Sequence, residues 1–334
     1  MRVSSFQAFQ QVTDSLMKNL ADLFRLNEQI SSGKRINRPS DDVRGTARAL
    51  DYRLAIDSGE QYRKNADDAS TAIAFAEKAL TSVSSALTRT KEIALQAASG
   101  TQSDATRDAL AQEAFELRDQ FLSLSNSRLG SRYIFSGFRT DAPAFDALFA
   151  YQGDTGSVNV AVDKDVLIPK NVIGTEAFGY SQAAEETVTQ EDGTIVHYIP
   201  GGGTTVNVEI RASDDTTVLD SFSFDNVMQM TGILSQALES NDTARISAIL
   251  KTLDDAAGQV TDVRADLGAR LNRLDDQGDR LDDAKLAAQI ALSGVEDVDL
   301  SSAASEIVKT DATLQALRAS AGKILSRSLL DFLS

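Results

Sequence analysis

The sequence predicts a mainly α protein with an inserted β-rich domain, in which both ends of the chain build one long antiparallel helical rod. The four prolines leave residues 40–142 and 201–334 free of proline. Most of these two stretches carries apolar residues at heptad spacing, which is typical of helices, whereas a central region alternates with period two, which is typical of strands. A length of 334 residues and an apolar content of 42 % allow a sizeable buried core.

Residues 1–39 are predicted to form one helix and a turn. The large apolar residues of this helix have the three- and four-residue spacing of a packing seam, which only the polar Asn19 interrupts. Gly33 suits the C-cap, and residues 40–42, Ser-Asp-Asp, place a cap and two negative charges at the start of the next helix. The seam comprises Phe9, Val12, Leu16, Leu23, Leu26 and Ile30.

Residues 40–140 and 225–294 are predicted to be the two arms of the rod. In the first arm a long helix runs towards Ser99, and a shorter helix folds back antiparallel on it. The second arm is predicted to be one helix that starts near Asp225. The apolar stripes are Ile73, Leu80, Leu87 and Ala94 on the long helix, Leu110, Ala114, Leu117, Phe121 and Leu124 on the shorter one, and Ile246, Ile249, Leu253, Ala256, Val260, Val263, Leu267, Leu274 and Leu281 on the second arm.

Residues 141–224 are predicted to form the β-rich domain. Two segments alternate apolar and polar side chains with the period of a half-buried strand. The glycines at 201–203 precede the second of these segments and indicate a turn. A phosphate-binding loop would need a helix N-terminus after the glycines, and a strand is predicted there instead. The apolar strand positions are Val158, Val160 and Val162, then Val206, Val208 and Ile210.

Residues 295–334 are predicted to form a second terminal helix, with a seam that Thr310 interrupts. Burial of either terminal seam alone releases less free energy than ordering its residues costs, so each end needs packing partners. We therefore expect both ends to be disordered in the monomer and helical after polymerisation. The predicted assembly residues are Phe9, Leu16, Leu23, Leu26, Ile30, Leu300, Ile307, Leu314, Leu317 and Ile324.

Composition excludes several classes of function. The net charge is −16, and an acidic body does not favour nucleic acid, whose phosphates need a basic surface. No apolar run approaches the length of a membrane span, and the N-terminus lacks the pattern of a cleaved secretory signal, which by itself indicates a cytoplasmic protein. The absence of cysteine excludes disulfides and thiolate metal sites.

The sequence offers no catalytic, cofactor-binding or metal-binding pattern. Its single histidine, His197, lies in a strand-like run with no second histidine near it, so a packed or surface role is the better interpretation. The paired acidic residues, such as Asp254 with Asp255, lack the spacing of a calcium loop and are interpreted as solvated faces.

Two short motifs carry a family resemblance: residues 30–42, Ile-Ser-Ser-Gly-Lys-Arg-Ile-Asn-Arg-Pro-Ser-Asp-Asp, and residues 133–138, Tyr-Ile-Phe-Ser-Gly-Phe. The first is similar to the turn between the first two helices of subunits of the bacterial flagellin superfamily. The second resembles the signature of a branch of that superfamily, the hook-filament junction proteins. Residues 267–274 and 295–300 resemble the C-terminal arm and its turn. The motif residues are Gly33, Arg35, Ile36, Asn37, Pro39, Asp41 and Asp42 in the first turn, and Tyr133, Phe135 and Gly137 in the junction signature.

The resemblance implies a flagellin-like fold and a mechanical role without catalysis or cofactor. The terminal helices would pair into an inner tube, the rods would pack around it, and the β-rich domain would face outward. The implied partners are other copies of the chain, the first hook-associated protein, flagellin, and a flagellar export chaperone at the C-terminal helix. The implied location is the extracellular flagellum, reached uncleaved through the flagellar type III pathway, which reverses the cytoplasmic inference.

Three alternatives stay open at the level of sequence. The first is flagellin itself, against which the signature at 133–138 argues. The second is a coiled-coil signalling protein, which would need a membrane span or a glutamate-rich methylation tract, and neither is visible in the sequence. The third is an enzyme carried on the β-rich domain, in which His197 and the carboxylates of Asp and Glu are the candidate catalytic groups.

Overall fold

The computed structural model describes the backbone of residues 2–99, 102–180, 182 and 184–333, and within these ranges the side chains of residue 7 and of residues 10–322. The chain divides into two compact units. Unit 1 consists of Met1–Gln61 and Leu281–Ser334, and unit 2 of Tyr62–Arg280. The elements in chain order are α1 (Arg2–Ser32), α2 (Val43–Ala98), α3 (Asp104–Ser125), β1 (Arg128–Leu129), β2 (Arg132–Tyr133), β3 (Asn159–Asp163), β4 (Val166–Pro169), α4 (Gly174–Phe178), β5 (Glu186–Thr189), β6 (Ile195–Gly202), β7 (Thr205–Arg211), β8 (Val218–Phe224), α5 (Val227–Glu239), α6 (Thr243–Glu296) and α7 (Leu300–Leu333).

Unit 2 has a continuous core formed by parts of α2 and α6, by α3 and α5, and by the strands. The predicted stripes of the arms lie in or against this core, except for Leu281, which belongs to unit 1. Ile73, Leu80 and Leu87 on α2 are at most 1 % exposed, and Leu253, Val260 and Leu267 on α6 are equally buried. The heptad spacing therefore marked true core positions.

Helix α3 folds back antiparallel on α2, as predicted. The Arg89 guanidinium on α2 forms two hydrogen bonds with the Glu113 carboxylate on α3, at 2.6 and 2.9 Å. Further along, the Arg107 guanidinium of α3 reaches the Ala97 carbonyl of α2. Residue numbers that rise on one helix while they fall on the other define antiparallel packing.

The prediction of a single helix from Asp225 onward was wrong, because the second arm consists of α5 and α6. Ser240 to Asp242 separate them, with Asn241 at φ +56°. The Asp242 carboxylate accepts the Arg245 N–H at 3.0 Å, which caps α6 and competes with a continuous helix. Helix α5 then packs on α3, where the Ser235 hydroxyl donates to the Ala111 carbonyl at 2.9 Å.

Among the described residues there are three antiparallel sheets: the β3–β4 hairpin, a four-stranded sheet in the order β5-β6-β7-β8, and the β1–β2 hairpin, which lies before residue 141 in the stretch predicted as a helical arm. Both predicted strand segments are present, as β3 and β7. Val208 pairs with Tyr198 on β6 and with Phe222 on β8, and it is fully buried. The predicted glycine turn joins β6 to β7, with Gly202 and Gly203 at positive φ.

The sheet packs on α6 within unit 2. The Tyr198 hydroxyl donates to the Ala248 carbonyl at 2.8 Å, and the Lys251 ammonium pairs with Glu186 at 2.8 Å. The β3–β4 hairpin is held from two sides, since Asn65 on α2 donates to the Ala161 carbonyl and Gln277 on α6 donates to the Asp163 carboxylate at 2.9 Å. No helix in the described part of the chain combines the length and apolarity that a membrane crossing needs.

Candidate assembly surface

The terminal helices α1 and α7 pack against each other in unit 1. The predicted seams supply this contact, because Leu26 on α1 and Leu314 on α7 are 7 % and 2 % exposed. Leu300 is exposed. Phe9 and Ile324 lie outside the described side chains. The remaining predicted assembly residues are half-buried: Leu16, Leu23, Ile30, Ile307 and Leu317.

A second set of apolar side chains on these helices faces away from the pair. Met17 and Phe24 on α1 are 61 % and 65 % exposed, and they lie seven residues apart on one line of the helix. Val308 on α7 is 70 % exposed. Exposed large apolar side chains that share one line of a helix, as Met17 and Phe24 do, indicate an interaction surface.

The turn after α1 and the turn before α7 are joined by backbone hydrogen bonds. The Val298 N–H donates to the Gly33 carbonyl at 3.0 Å, and the Arg35 N–H donates to the Glu296 carbonyl at 2.6 Å. Gly33 has φ +71°, a conformation that glycine adopts at little cost, so the chain can leave α1 sharply. These bonds join the segment that follows the end of α1 to the segment that precedes the start of α7.

Side chains of the first turn strengthen this link. The Arg35 guanidinium donates to the Val295 carbonyl at 2.7 Å and pairs with the Asp42 carboxylate at 3.2 Å. The Asp41 carboxylate accepts the backbone N–H groups of Asn37 and Arg38, at 3.0 and 2.8 Å. These bonds hold the turn in one conformation.

Asp42 caps α2. Its carboxylate accepts the Gly45 N–H at 2.8 Å. That bond, followed by the Arg35 guanidinium, holds the pKa of Asp42 below its ordinary value. The residue that caps α2 is therefore Asp42, and not Ser40 as the sequence predicted. Gly45 is also a close approach, since a Cβ there would lie 2.5 Å from the Ile36 side chain, which is buried beneath the turn.

Glu296, at the end of α6, is a buried carboxylate between two cations. Its side chain is 5 % exposed and pairs with the Lys34 ammonium and the Arg53 guanidinium, both at 2.5 Å. Burial raises the pKa of Glu296, but the hydrogen bonds from Lys34 and Arg53 outweigh burial, so the pKa lies below its ordinary value. Glu296 borders a cavity of about 260 Å³ that Asn37 and Pro39 also line.

The junction signature lies in unit 2. Phe135 is fully buried and packs edge-on against Phe178, with ring centroids 5.0 Å apart. Gly137 has φ +69°, and a Cβ there would lie 2.3 Å from the Asp154 carbonyl oxygen, so only glycine fits. Tyr133, on β2, stacks under the Arg128 guanidinium at 4.3 Å. The motif therefore shapes the loop that leads into the β-rich region.

His197 is a packed strand residue, as the sequence indicated. Its imidazole is 7 % exposed, with Nδ1 3.1 Å from Glu185 and Nε2 2.6 Å from Asp215. The bond to Glu185, and then that to Asp215, raises the pKa of His197 despite the opposing effect of burial. Among the described side chains, no group of three or more histidines and carboxylates is arranged to hold a metal ion.

Comparison with known proteins identifies the family. Models of the bacterial flagellin N-terminal and C-terminal helical regions match residues 3–140 and 250–333. Flagellar hook-associated protein 3 of Salmonella typhimurium is 30 % identical over 326 residues, which is 95 % of this chain and 94 % of the relative. The chain belongs to the hook-associated protein 3 family of flagellin-like proteins.

Other members agree in length and fold. Hook-associated protein 3 of Escherichia coli is 27 % identical and again covers 95 % of this chain and 94 % of the relative. The crystal structure of hook-associated protein 3 from Legionella pneumophila shares the fold at a TM-score of 0.58 and 20 % identity, covering 73 % of this chain and 98 % of that one. The protein is thus a structural subunit of the bacterial flagellum, at the junction of hook and filament.

Two features of unit 1 were not predicted from the sequence. Arg53 was not identified as a partner of Glu296, because the pairing joins residues 243 positions apart. The exposed apolar residues at the start of α2 and the end of α6 were also missed. Their three- and four-residue spacing is visible in the sequence, but such spacing does not distinguish a buried face from an exposed one.

Proposed function

We propose that this protein is a mechanical adaptor that joins the hook, through the first hook-associated protein, to the flagellin filament. The observation that carries the proposal is the exposure of Met17 and Phe24 on α1 and of Val308 on α7, each of which is more than 60 % exposed. A lone chain gains little from exposing such residues, whereas copies packed side by side bury them.

The predicted division of labour along the chain fits this role. Residues 1–39 and 295–334 would form the inner tube, 40–140 and 225–294 the surrounding arms, and 141–224 the outward β-rich domain. The seam residues would pair the two ends within a subunit, where α1 packs against α7. Exposed residues of the same helices would then contact neighbouring subunits.

Export and partner choice complete the proposal. The chain would leave the cell uncleaved through the flagellar type III pathway, and an export chaperone would cover the C-terminal helix before assembly. A chain without cysteine passes a narrow channel without having to reduce disulfides. We propose no catalytic activity and no cofactor.

Deletion of the gene tests the adaptor role. Loss of an adaptor should leave hooks that release flagellin into the medium, because the first filament subunits lack a surface to bind. Complementation with the wild-type gene should restore filaments. If the deleted strain instead makes no filament protein at all, the chain is a flagellin.

The flagellin alternative has specific support, since Bacillus subtilis flagellin is 28 % identical over 87 % of this chain and 86 % of its own length. Hook-associated protein 3 of Salmonella typhimurium matches at higher identity over more of both chains. Immunogold labelling separates the two: an adaptor should be labelled only at the end of the hook, and a flagellin along the whole filament.

A further inference from the structure

Unit 1 carries an exposed apolar stripe on the first three turns of α2. We call Val43, Ala47, Leu50 and Leu54 the α2 stripe. Their steps of four, three and four residues place them on one line of the helix. Val43, Leu50 and Leu54 are 73 %, 55 % and 56 % exposed, so no described residue of the chain covers them.

A second exposed stripe lies on the last part of α6. Leu286 and Ile290, which we call the α6 stripe, are four residues apart and 57 % and 65 % exposed. Ala287 and Gly294 lie beside them, and a Cβ at Gly294 would meet nothing within 4 Å. Small neighbours of this kind leave room for a partner helix to approach.

The two stripes lie on opposite sides of unit 1. Segments of α2 and α6 face each other antiparallel, since Arg53 pairs with Glu296 and Lys285 pairs with Glu60. At about 100° of rotation per residue, the α2 stripe lies roughly opposite the inward-facing Ala49, and the α6 stripe roughly opposite the inward-facing Leu281. Neither stripe can therefore cover the other within one chain.

The stripes also differ in charge. Residues 43–54 hold three arginines, of which Arg53 pairs within the chain, against one aspartate. Residues 281–290 hold two aspartates against one lysine, Lys285, which also pairs within the chain. Opposite charge around two apolar stripes favours contact between them over contact of either stripe with its own copy. Two different, complementary surfaces on opposite sides of one molecule allow head-to-tail contacts that repeat.

We infer that the occupant of the α2 stripe is the α6 stripe of a second copy of this chain. The inference rests on the proposed function, because a tubular adaptor requires copies in contact, and it adds which helices touch and in which sense. The contact is heterologous: each copy offers the α2 stripe to one neighbour and the α6 stripe to the other.

Disulfide cross-linking tests this contact cleanly, since the chain has no cysteine of its own. Hooks are isolated from a deletion strain that expresses the double variant Leu50→Cys with Ile290→Cys, oxidised, and resolved on a denaturing gel. We expect a ladder from dimers upward. Each single-cysteine variant should stay monomeric, and a mixture of the two singles should stop at dimers.

The matched control is Ala55→Cys with Ala284→Cys, which places exposed cysteines on the same two helices away from both stripes. This pair should give at most a small fraction of the ladder. Dimers from a single-cysteine variant would reveal a symmetric contact and overturn the inference. A control ladder as strong as that of the stripe pair would overturn it as well.

Two samples, isolated hooks and the purified chain, distinguish a failure of this inference from a failure of the proposed function. If immunoblots find the chain on hooks but no ladder forms, the adaptor role stands and the stripe contact is wrong. The same variants are also oxidised as concentrated purified chain, so the contact is judged even if the chain is not recovered with hooks. If the chain is not recovered with hooks, a ladder in the purified chain supports the contact, and the absence of a ladder there refutes it.

Discussion

The two units of the molecule bury their apolar residues to different extents. In unit 2, Ile73, Leu80, Phe121 and Val208 are fully buried. Among the described side chains, unit 1 leaves nine large apolar ones at least 55 % exposed, whereas the larger unit 2 leaves four. Those of unit 1 are Met17, Phe24, Val43, Leu50, Leu54, Leu286, Ile290, Leu300 and Val308, and those of unit 2 are Phe138, Leu148, Leu167 and Leu219. The same heptad-like spacing thus produces a self-sufficient core in one unit and an unfilled interface in the other. The spacing indicates that apolar residues share one face of a helix. Whether that face is buried depends on the elements that are available to pack against it.

The largest expected effect comes from a charge in the core of unit 2. Val208→Asp places an unpaired carboxylate between Tyr198 and Phe222, and we expect a loss of more than about 4 kcal/mol in the free energy of unfolding. Urea unfolding followed by tyrosine fluorescence measures it. The exposed control Val218→Asp on β8 should change the stability by less than about 0.5 kcal/mol. Equal effects would show that the sheet has no core of its own.

The next largest effect is expected in unit 1, where the terminal helices pack against each other. Leu314→Asp puts a charge into the seam of α1 and α7, where Leu314 is 2 % exposed. We expect the variant to be lost from isolated hooks while the urea midpoint of unit 2 is unchanged, because that unit has a separate core. Leu314→Met, which conserves volume, should cost less than about 1.5 kcal/mol and still assemble. Normal filaments with Leu314→Asp would contradict the role of the seam.

A smaller effect is expected at the linked turns. Glu296→Gln keeps the shape but removes the charge between Lys34 and Arg53, so we expect the link to weaken by about 1–3 kcal/mol. Amide exchange of Arg35 and Val298 reports this opening. The exposed control Glu306→Gln should leave both amides unchanged.

The same carboxylate gives the turns a pH dependence. The folded-state pKa of Glu296 lies below its ordinary value of 4.5, so its contribution to stability is present above that pH. The contribution is lost as the pH falls through the folded pKa. After correction for intrinsic exchange, the Arg35 amide should open more in this acidic range in the wild type, but not in Glu296→Gln. An unchanged acid response in the variant would assign it to another group.

The smallest effect on stability should accompany a large effect on assembly. Phe24→Ser alters a side chain that is 65 % exposed, so the free energy of unfolding of the lone chain should change by less than about 0.5 kcal/mol. Incorporation into hooks should nevertheless fall, measured by immunoblot against Asn27→Ser, an exposed polar control on the same helix. A stability loss as large as that of a core substitution would place Phe24 inside the monomer.

The sequence predicted much of the fold because the signals were local. The stripe from Ile73 to Ala94 and the alternation at 206–210 correctly gave a buried helix face and a strand. The break between α5 and α6 was missed, since a helical pattern on both sides of Ser240 concealed a three-residue turn whose cap at Asp242 is a local choice. The ion pair of Glu296 with Arg53 could not be predicted from the sequence, because no local pattern links residues so far apart in the chain.

What the sequence alone determined is the order of helical and strand segments, the two terminal seams, the glycines that the turns require, and the absence of disulfides. These follow from side-chain periodicity and backbone freedom, which act within a few residues. Only the tertiary structure decided which apolar faces are covered. Coverage depends on elements distant in sequence, so Leu80 is buried while Leu50 and Ile290 are exposed.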